Sequence, residues 1–330
     1  MPLRLPLAVL RLLALAAALP ALAACGERPA AGDAPEANGG RPRVALVMKS
    51  LANEFFVTMA EGAEAHHAAH DAEYDLVVNG IRNESDITQQ VALVEQMIGA
   101  GVDAIVIAPT DSRALVPVLR RARQAGIVVV NIDNKLDAAT LQEAGLTIPF
   151  VGPDNRAGAR AVGDALARRL RPGDPVAILE GVPTAFNAQQ RRQGFEDAMA
   201  AGGMRVVGVQ SGQWEQAAGN TAAAGFINAH PDLRAILASN DNMALGAAAA
   251  IRQAGREGQI LLVGFDNIEA VRAMVRDGRV LATADQHADR LAVYGIEYAL
   301  QLLRGGADPQ DRQTPVDLVT GETLVGAGAE

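Results

Sequence analysis

Cysteine is almost missing: Cys25 is the only one in 330 residues. A lone cysteine excludes an internal disulfide framework and any structural zinc site built on thiolates. Aromatic residues make up only 3% of the chain, with a single tryptophan, Trp214, so each aromatic beside a candidate site carries weight. Lysine is reduced to Lys49 and Lys135, arginine supplying the other cations. The net charge is −9, a surface that repels nucleic acid. No P-loop, G-x-G-x-x-G, G-x-S-x-G or H-E-x-x-H stretch occurs, so the usual signatures for nucleotide, dinucleotide, serine-hydrolase and zincin chemistry are missing. His66, His67 and His70 share a predicted helix, where a solvated face is the ordinary reading and no metal site is expected. No cofactor is expected either.

The first 25 residues, "MPLRLPLAVLRLLALAAALPALAAC", place arginines before an apolar stretch that ends in small residues. This is the pattern of a secretory signal segment, which lies outside the fold. The apolar run is too short, and too soon broken by Pro20, for a spanning helix. Leu22-Ala23-Ala24-Cys25 resembles the bacterial lipobox, which implies lipidation of Cys25 and a mature chain beginning there. Residues 26–42 are rich in Gly, Pro and Ala without apolar periodicity and read as a flexible tether.

From Val44 onward, short apolar runs alternate with amphipathic helical stretches. Strands are predicted over 43–48, 74–79, 103–108, 127–132, 175–180, 205–210, 234–238, 260–265 and 280–284. Several of the helices between them stop at glycine, at Gly101, Gly126, Gly202, Gly255 and Gly278. Strand–helix alternation means right-handed βαβ units and parallel sheets buried on both faces, and this many strands requires two sheets.

The halves also resemble each other. "DAIVIAPTDSRALVPVLRRARQAGIVVVNIDN" aligns with "RAILASNDNMALGAAAAIRQAGREGQILLVGFDN", matching Asp111 to Asp241 and Asp133 to Asp266. A duplicated lobe follows. Ligands of parallel α/β sheets bind beyond the C-terminal strand ends. If two sister sheets face each other, Asp133 and Asp266 enter one cleft from opposite walls, where carboxylates accept charge-assisted hydrogen bonds from hydroxyls. The following Asn134 and Asn267 add ligand contacts or cap the next helices. No nucleophile accompanies the acids, so the chain is not expected to be an enzyme.

"VALVMKSLANEFFVTMAEGAE", "DAIVIAPTDS", "HPDLRAILASNDNMALGA" and "VGFDNIEA" stand in an order and spacing that resemble the periplasmic sugar-binding proteins of ABC transporters, the ribose-binding-protein group. The resemblance runs from about Arg43 to Val319. It implies a periplasmic binding protein type I fold: two similar three-layer αβα lobes with parallel sheets, hinged around a cleft. The lobes would be 43–147 plus 286–313 and 148–285 plus 314–330, with crossings near 146–150, 281–286 and 313–316. Carried over residue by residue, the resemblance implies ligand contacts from Lys49, Asn53, Asp133, Asn240, Asp266 and Gln286, stacking by Phe55, Phe56 and Trp214, and a contact from Arg191. Asp133-Asn134 departs from the Asp-Arg that the group often carries, Gln189 stands where an arginine is usual, and Arg82 and Asn83 occupy a loop where a polar contact is expected. The implied function is capture of a pentose, hexose or sugar alcohol for an ABC permease and its ATPase subunits. The implied location is the periplasm, or the outer face of the cytoplasmic membrane, with a lipid anchor as the sole membrane attachment and a monomeric protein. A receptor of the same fold reporting to a chemoreceptor or sensor kinase is the alternative left open.

Overall fold

The computed structural model describes residues 40–306 and 308–326. The leader 1–25 with Cys25, and residues 26–39 of the tether, lie outside the described residues.

The first lobe opens with β1 (Arg43–Ser50), α1 (Glu54–Ala69), β2 (Asp75–Ile81) and α2 (Ile87–Gly99). It continues through β3 (Ala104–Ile107), α3 (Val116–Gln124), β4 (Val128–Ile132), α4 (Ala138–Glu143) and β5 (Phe150–Pro153). The second lobe runs through α5 (Asn155–Ala167), β6 (Pro175–Glu180), α6 (Phe186–Gly202), β7 (Arg205–Ser211) and α7 (Gln216–Ala229). It then adds β8 (Ala235–Ala238), α8 (Asp241–Gln253), β9 (Leu261–Val263), α9 (Glu269–Arg276) and β10 (Ala282–Asp285). Last come α10 (Ala288–Leu303), β11 (Arg312–Thr314), β12 (Asp317–Thr320) and α11 (Gly321–Gly326).

Each sheet has six strands, ordered β11-β5-β4-β3-β1-β2 and β12-β10-β9-β8-β6-β7. Position by position the orders match, as the internal repeat predicts. All pairs in the first sheet are parallel. In the second, β12 runs antiparallel to β10 at the edge, a departure from the wholly parallel expectation. The central strands are apolar throughout because helices cover both faces. In β1, Val44, Leu46 and Met48 pack with α1 and α10, while Ala45 and Val47 pack with α2 and α3, and all five are fully buried. The second sheet is covered by α5 and α6 on one side and by α7 and α8 on the other. Gly62 lets α1 lie directly on α10: a Cβ there would stand 2.0 Å from the Asp289 carbonyl oxygen.

The chain crosses between sheets three times, and the crossings differ in detail from the expected boundaries. β5 pairs with β4 and β11, so the chain leaves the first sheet after Pro153 rather than at 147. The second crossing falls between Asp285 and Ala288 and returns α10 to the first sheet; the third falls between Thr314 and Asp317. Thr314 still pairs with Pro153, so it belongs to the first sheet. Gly101, Gly126, Gly255 and Gly278 all adopt left-handed φ where their helices end. At the end of α6, Gly203 takes that role instead of Gly202.

Candidate functional site

β4 ends on Ile132, and Asp133 follows with φ 60°; Asp266, after β9, has φ 125°, and Asn267 has φ 56°. These are left-handed conformations that Asp and Asn tolerate better than most residues, and they turn the side chains off the sheet ends. Both carboxylates reach one small cavity between the lobes. From the first lobe it is lined by Lys49, Asn53, Phe55, Phe56, Glu84 and Asp133. Asn187, Arg191, Trp214, Asn240 and Asp266 line it from the second. A wider, open groove lies beside α8, α9 and α11, but its lining contains none of the expected contact residues.

Each wall carries one buried ion pair. Lys49 Nζ stands 2.8 Å from Asp133 Oδ2, with 3% of each side chain exposed. Arg191 Nη1 stands 3.3 Å from Asp266 Oδ1, while its Nε donates to Asn155 Oδ1 at 2.7 Å and Nη1 also donates to the Ser239 carbonyl at 2.9 Å. Gln286 Nε2 donates to Asp266 Oδ1 at 2.6 Å, so Gln286 acts on the cavity through that acid. Burial pushes the Asp266 carboxyl well above the usual carboxylate range, and Arg191 opposes the rise. Burial also lowers Arg191, opposed by Asp266 and Asp133. The guanidinium remains charged at any working pH.

The aromatics stand around these charges. Phe55 and Phe56 meet edge to face at 5.1 Å. The Lys49 ammonium lies 5.6 Å from the Phe56 ring centre and 5.8 Å from that of Trp214. The Arg191 guanidinium rests 3.8 Å over Phe265. Trp214 has φ 66°, a strained value for a bulky residue, and its ring is seated on Gly181, where a Cβ would come within 2.1 Å. Asn53 and Asn240 each face the cavity while capping a helix: Asn53 Oδ1 accepts from Phe55 N of α1, and Asn240 Oδ1 accepts from Met243 N of α8.

The sequence reading missed two lining residues. Asn187 follows the first residue of α6. Glu84 is 2% exposed, whereas its neighbours Arg82 and Asn83, the expected candidates in that loop, point to solvent. Glu84 Oε1 accepts from Asn53 Nδ2 at 2.9 Å, and burial pushes its carboxyl up to about 7 against the pull of Lys49. No local signal in the sequence singles it out.

Other expectations are corrected. Asn134 and Asn267 do not cap the following helices: Asp137 caps α4, and Ile268 precedes α9 without a side-chain cap. Nor do they line the cavity; Asn134 Nδ2 donates to the Pro109 carbonyl and Asn267 Nδ2 to Asp285. Gln189 is exposed and donates to the Pro183 carbonyl. The histidines form a half-buried cluster instead of a solvated face, His66 stacking on His70 at 4.2 Å and meeting the Tyr74 hydroxyl at 2.9 Å. Among the described residues no group of His, Cys, Asp and Glu could hold a metal ion, and no helix is long and apolar enough to cross a membrane.

Three buried side-chain atoms of cavity-lining residues are left without a hydrogen bond from the protein: Trp214 Nε1, Asn187 Oδ1 and the ion-paired Asp133 Oδ2. Such atoms cost about 1–3 kcal/mol each unless a ligand meets them. With two internal ion pairs, the cavity is close to charge-balanced. It suits an uncharged molecule with several hydroxyls and apolar C–H faces.

Two opposed α/β lobes around such a cavity define a hinged solute receptor. The chain belongs to the periplasmic binding protein family, whose domain model matches residues 44–307. It is 58% identical over 284 residues to a D-ribose/D-allose-binding protein of Pseudomonas aeruginosa, covering 85% of this chain and 89% of that one. It is 32% identical to a ribose import binding protein of Escherichia coli, covering 83% of this chain and 88% of the other. Among solved structures, an ABC transporter solute-binding protein of Burkholderia multivorans is similar at TM-score 0.83 and 56% identity. It covers 85% of this chain and 100% of its own, and its unknown ligand is represented as alpha-D-erythrofuranose. A periplasmic solute-binding protein of Actinobacillus succinogenes with bound D-allose is similar at TM-score 0.81 and 35% identity, covering 87% of this chain and all of its own.

Proposed function

We propose that this chain is the solute-binding component of a sugar ABC importer and takes an uncharged aldose of the ribose or allose kind. The observation that carries this reading is the pair of buried polar atoms at the cavity without protein partners, Trp214 Nε1 and Asn187 Oδ1, next to the Phe55, Phe56 and Trp214 rings. Sugar hydroxyls satisfy the polar atoms, and the rings cover the sugar's C–H faces. The Lys49–Asp133 and Arg191–Asp266 pairs present charge to those hydroxyls from opposite walls. Contacts from both walls exist together only when the lobes are closed, so the sugar favours closure by its differential affinity. A permease and its ATPase subunits are the partners, reading closure at the lobe rims. Export to the periplasm and anchoring through a lipid on Cys25 complete the proposal; the division into lobes at the three crossings is part of it.

A thermal-shift screen over D-allose, D-ribose and their epimers tests the reading. At one hundred times Kd, linkage adds about 2.7 kcal/mol. For a chain of this size that raises Tm by about 5–10 °C. No rise with any neutral monosaccharide would overturn the assignment.

A further inference from the structure

Helices whose N-termini face the cleft are capped unequally. α1, α2, α4, α5 and α8 each receive a cap from their own N-cap residue: Asn53, Asp86, Asp137, Asp154 and Asn240. α3, α7 and α10 take no side-chain cap from their own N-cap residue, and the same holds for the pair α6, which begins after Ala185, and α9, which begins after Ile268. The first backbone N–H groups of both helices are met by the opposite lobe. Phe186 N donates to Ser112 Oγ at 2.9 Å, and Asn187 N donates to Asn134 Oδ1 at 3.2 Å. Ser112 in turn donates to Asn134 Oδ1, which fixes the two acceptors as one unit. At α9, Glu269 N donates to Glu54 Oε1 at 2.7 Å. Glu54 brings negative charge to a helix N-terminus, where the macrodipole favours it.

We propose that Ser112, Asn134 and Glu54 are positioning residues that set the sugar affinity without touching the sugar, by lending helix caps to the second lobe only when the lobes are closed. None of them lines the cavity. In an open molecule the N–H groups of Phe186, Asn187 and Glu269 turn to water, so the caps add to closure and nothing to the fold of either lobe. This also gives Asn134 a role, in the position where the related group often carries an arginine.

The proposal rests on the sugar-binding reading, and the test separates the two. Titration calorimetry with D-allose and D-ribose compares the full-length protein with Ser112→Ala, Glu54→Ala and Glu54→Gln, alongside melting of the sugar-free protein and sugar-free small-angle scattering. A cap is worth about 1 kcal/mol, which is about fivefold in Kd. Ser112→Ala and Glu54→Ala should each weaken binding by about that factor and together by about 25-fold, with sugar-free melting unchanged. Glu54→Gln, which keeps an acceptor oxygen, should recover most of the loss. Unchanged affinity in both alanine variants, or a loss matched by a lower sugar-free Tm, overturns the proposal. If neither sugar binds the unaltered protein, the sugar reading fails. The cap proposal is then decided by scattering alone: the alanine variants must be more open than the parent, and identical profiles overturn it.

Discussion

Replacing Asp266 with alanine exposes the logic of the second wall. The substitution removes the counter-charge of Arg191, whose side chain is 2% exposed and whose Nη1 lies 3.3 Å from the lost carboxylate. Asn155 Oδ1 and the Ser239 carbonyl still accept from the guanidinium, but neither carries charge. Breaking a buried pair from one side costs about 3–5 kcal/mol, mostly the unbalanced charge left behind. At about 2–4 °C per kcal/mol for a chain of this size, the sugar-free Tm should fall by about 6–20 °C. Relief of the repulsion between Asp266 and the neighbouring Asp241 works the other way and favours the lower part of that range. The Asp266→Ala/Arg191→Met double substitution removes both charges and should cost less than the sum of its parts, by about 0.5–3 kcal/mol. Calorimetry on the four proteins measures that coupling directly. Asp266→Ala should also abolish the sugar-induced rise in Tm, and the double substitution should not restore it. If Asp266→Ala melts within about 3 °C of the parent, the pair is not a dry, mutually dependent unit and the account of this wall is wrong.

Glu84 gives the chain a pH dependence. Its carboxyl titrates at about 7 in the fold against an ordinary 4.5, so between those values the native state holds a proton that the unfolded chain releases. Stability from this group is therefore full below about 4.5 and falls as pH rises to about 7, by about 3 kcal/mol. Glu84→Gln should flatten part of that decline in urea titrations, leaving the shares of Asp241, which burial likewise pushes up to about 7, and of Asp266, which burial also raises; an unchanged slope would refute the assignment. Because Trp214 is the only tryptophan, sugar binding should change the intrinsic fluorescence. Gly181→Ala, which drives a Cβ into its ring, should weaken binding tenfold or more. Gly62→Ala should destabilise the first lobe by about 1–3 kcal/mol by forcing α1 off α10, with the sugar contacts intact; urea unfolding checks it.

Much of this arrangement was legible in the sequence. Periodicity separated strands from helices because the central strands are apolar on both faces, and the repeat ending in Asp133 and Asp266 located the two strand tips that meet in one cavity. The edges were not legible. β5 is only Phe150–Pro153 and carries Gly152 and Pro153, while β11 reads Arg-Gln-Thr, so neither shows an apolar alternation. Their place is decided by the sheet edge waiting for them, a tertiary effect that local composition cannot report. α4 and α10 were no easier to place. α4 is six residues without a buried side chain, and α10 follows a crossing that hides which lobe it serves. Glu84 escaped because an acid in a loop between Asn83 and Ser85 reads as solvated, and only the Asn53 amide and the closing second lobe bury it.

The matched acids also show that duplication does not fix chemistry. Asp133 and Asp266 occupy equivalent strand ends, yet their counterions arrive by different routes. Lys49 comes from the end of β1 in the same sheet, whereas Arg191 comes from the middle of α6 and is held by Asn155 of α5. The first acid has one cationic partner and keeps Oδ2 free of any well-aligned hydrogen bond. The second shares Oδ1 between Arg191 and Gln286, a residue of the crossing segment between β10 and α10. Under the proposed function, Asp133 is thus the acceptor open to a sugar hydroxyl, and Asp266 is the acceptor that ties the sugar to a segment which must move when the lobes part. Asp133→Asn should therefore cost affinity mainly through the lost hydroxyl contact, leaving the sugar-free scattering profile as it was, whereas Gln286→Ala should alter that profile before any sugar is added. Equal effects of the two substitutions on the sugar-free profile would show that the twin acids do the same work after all.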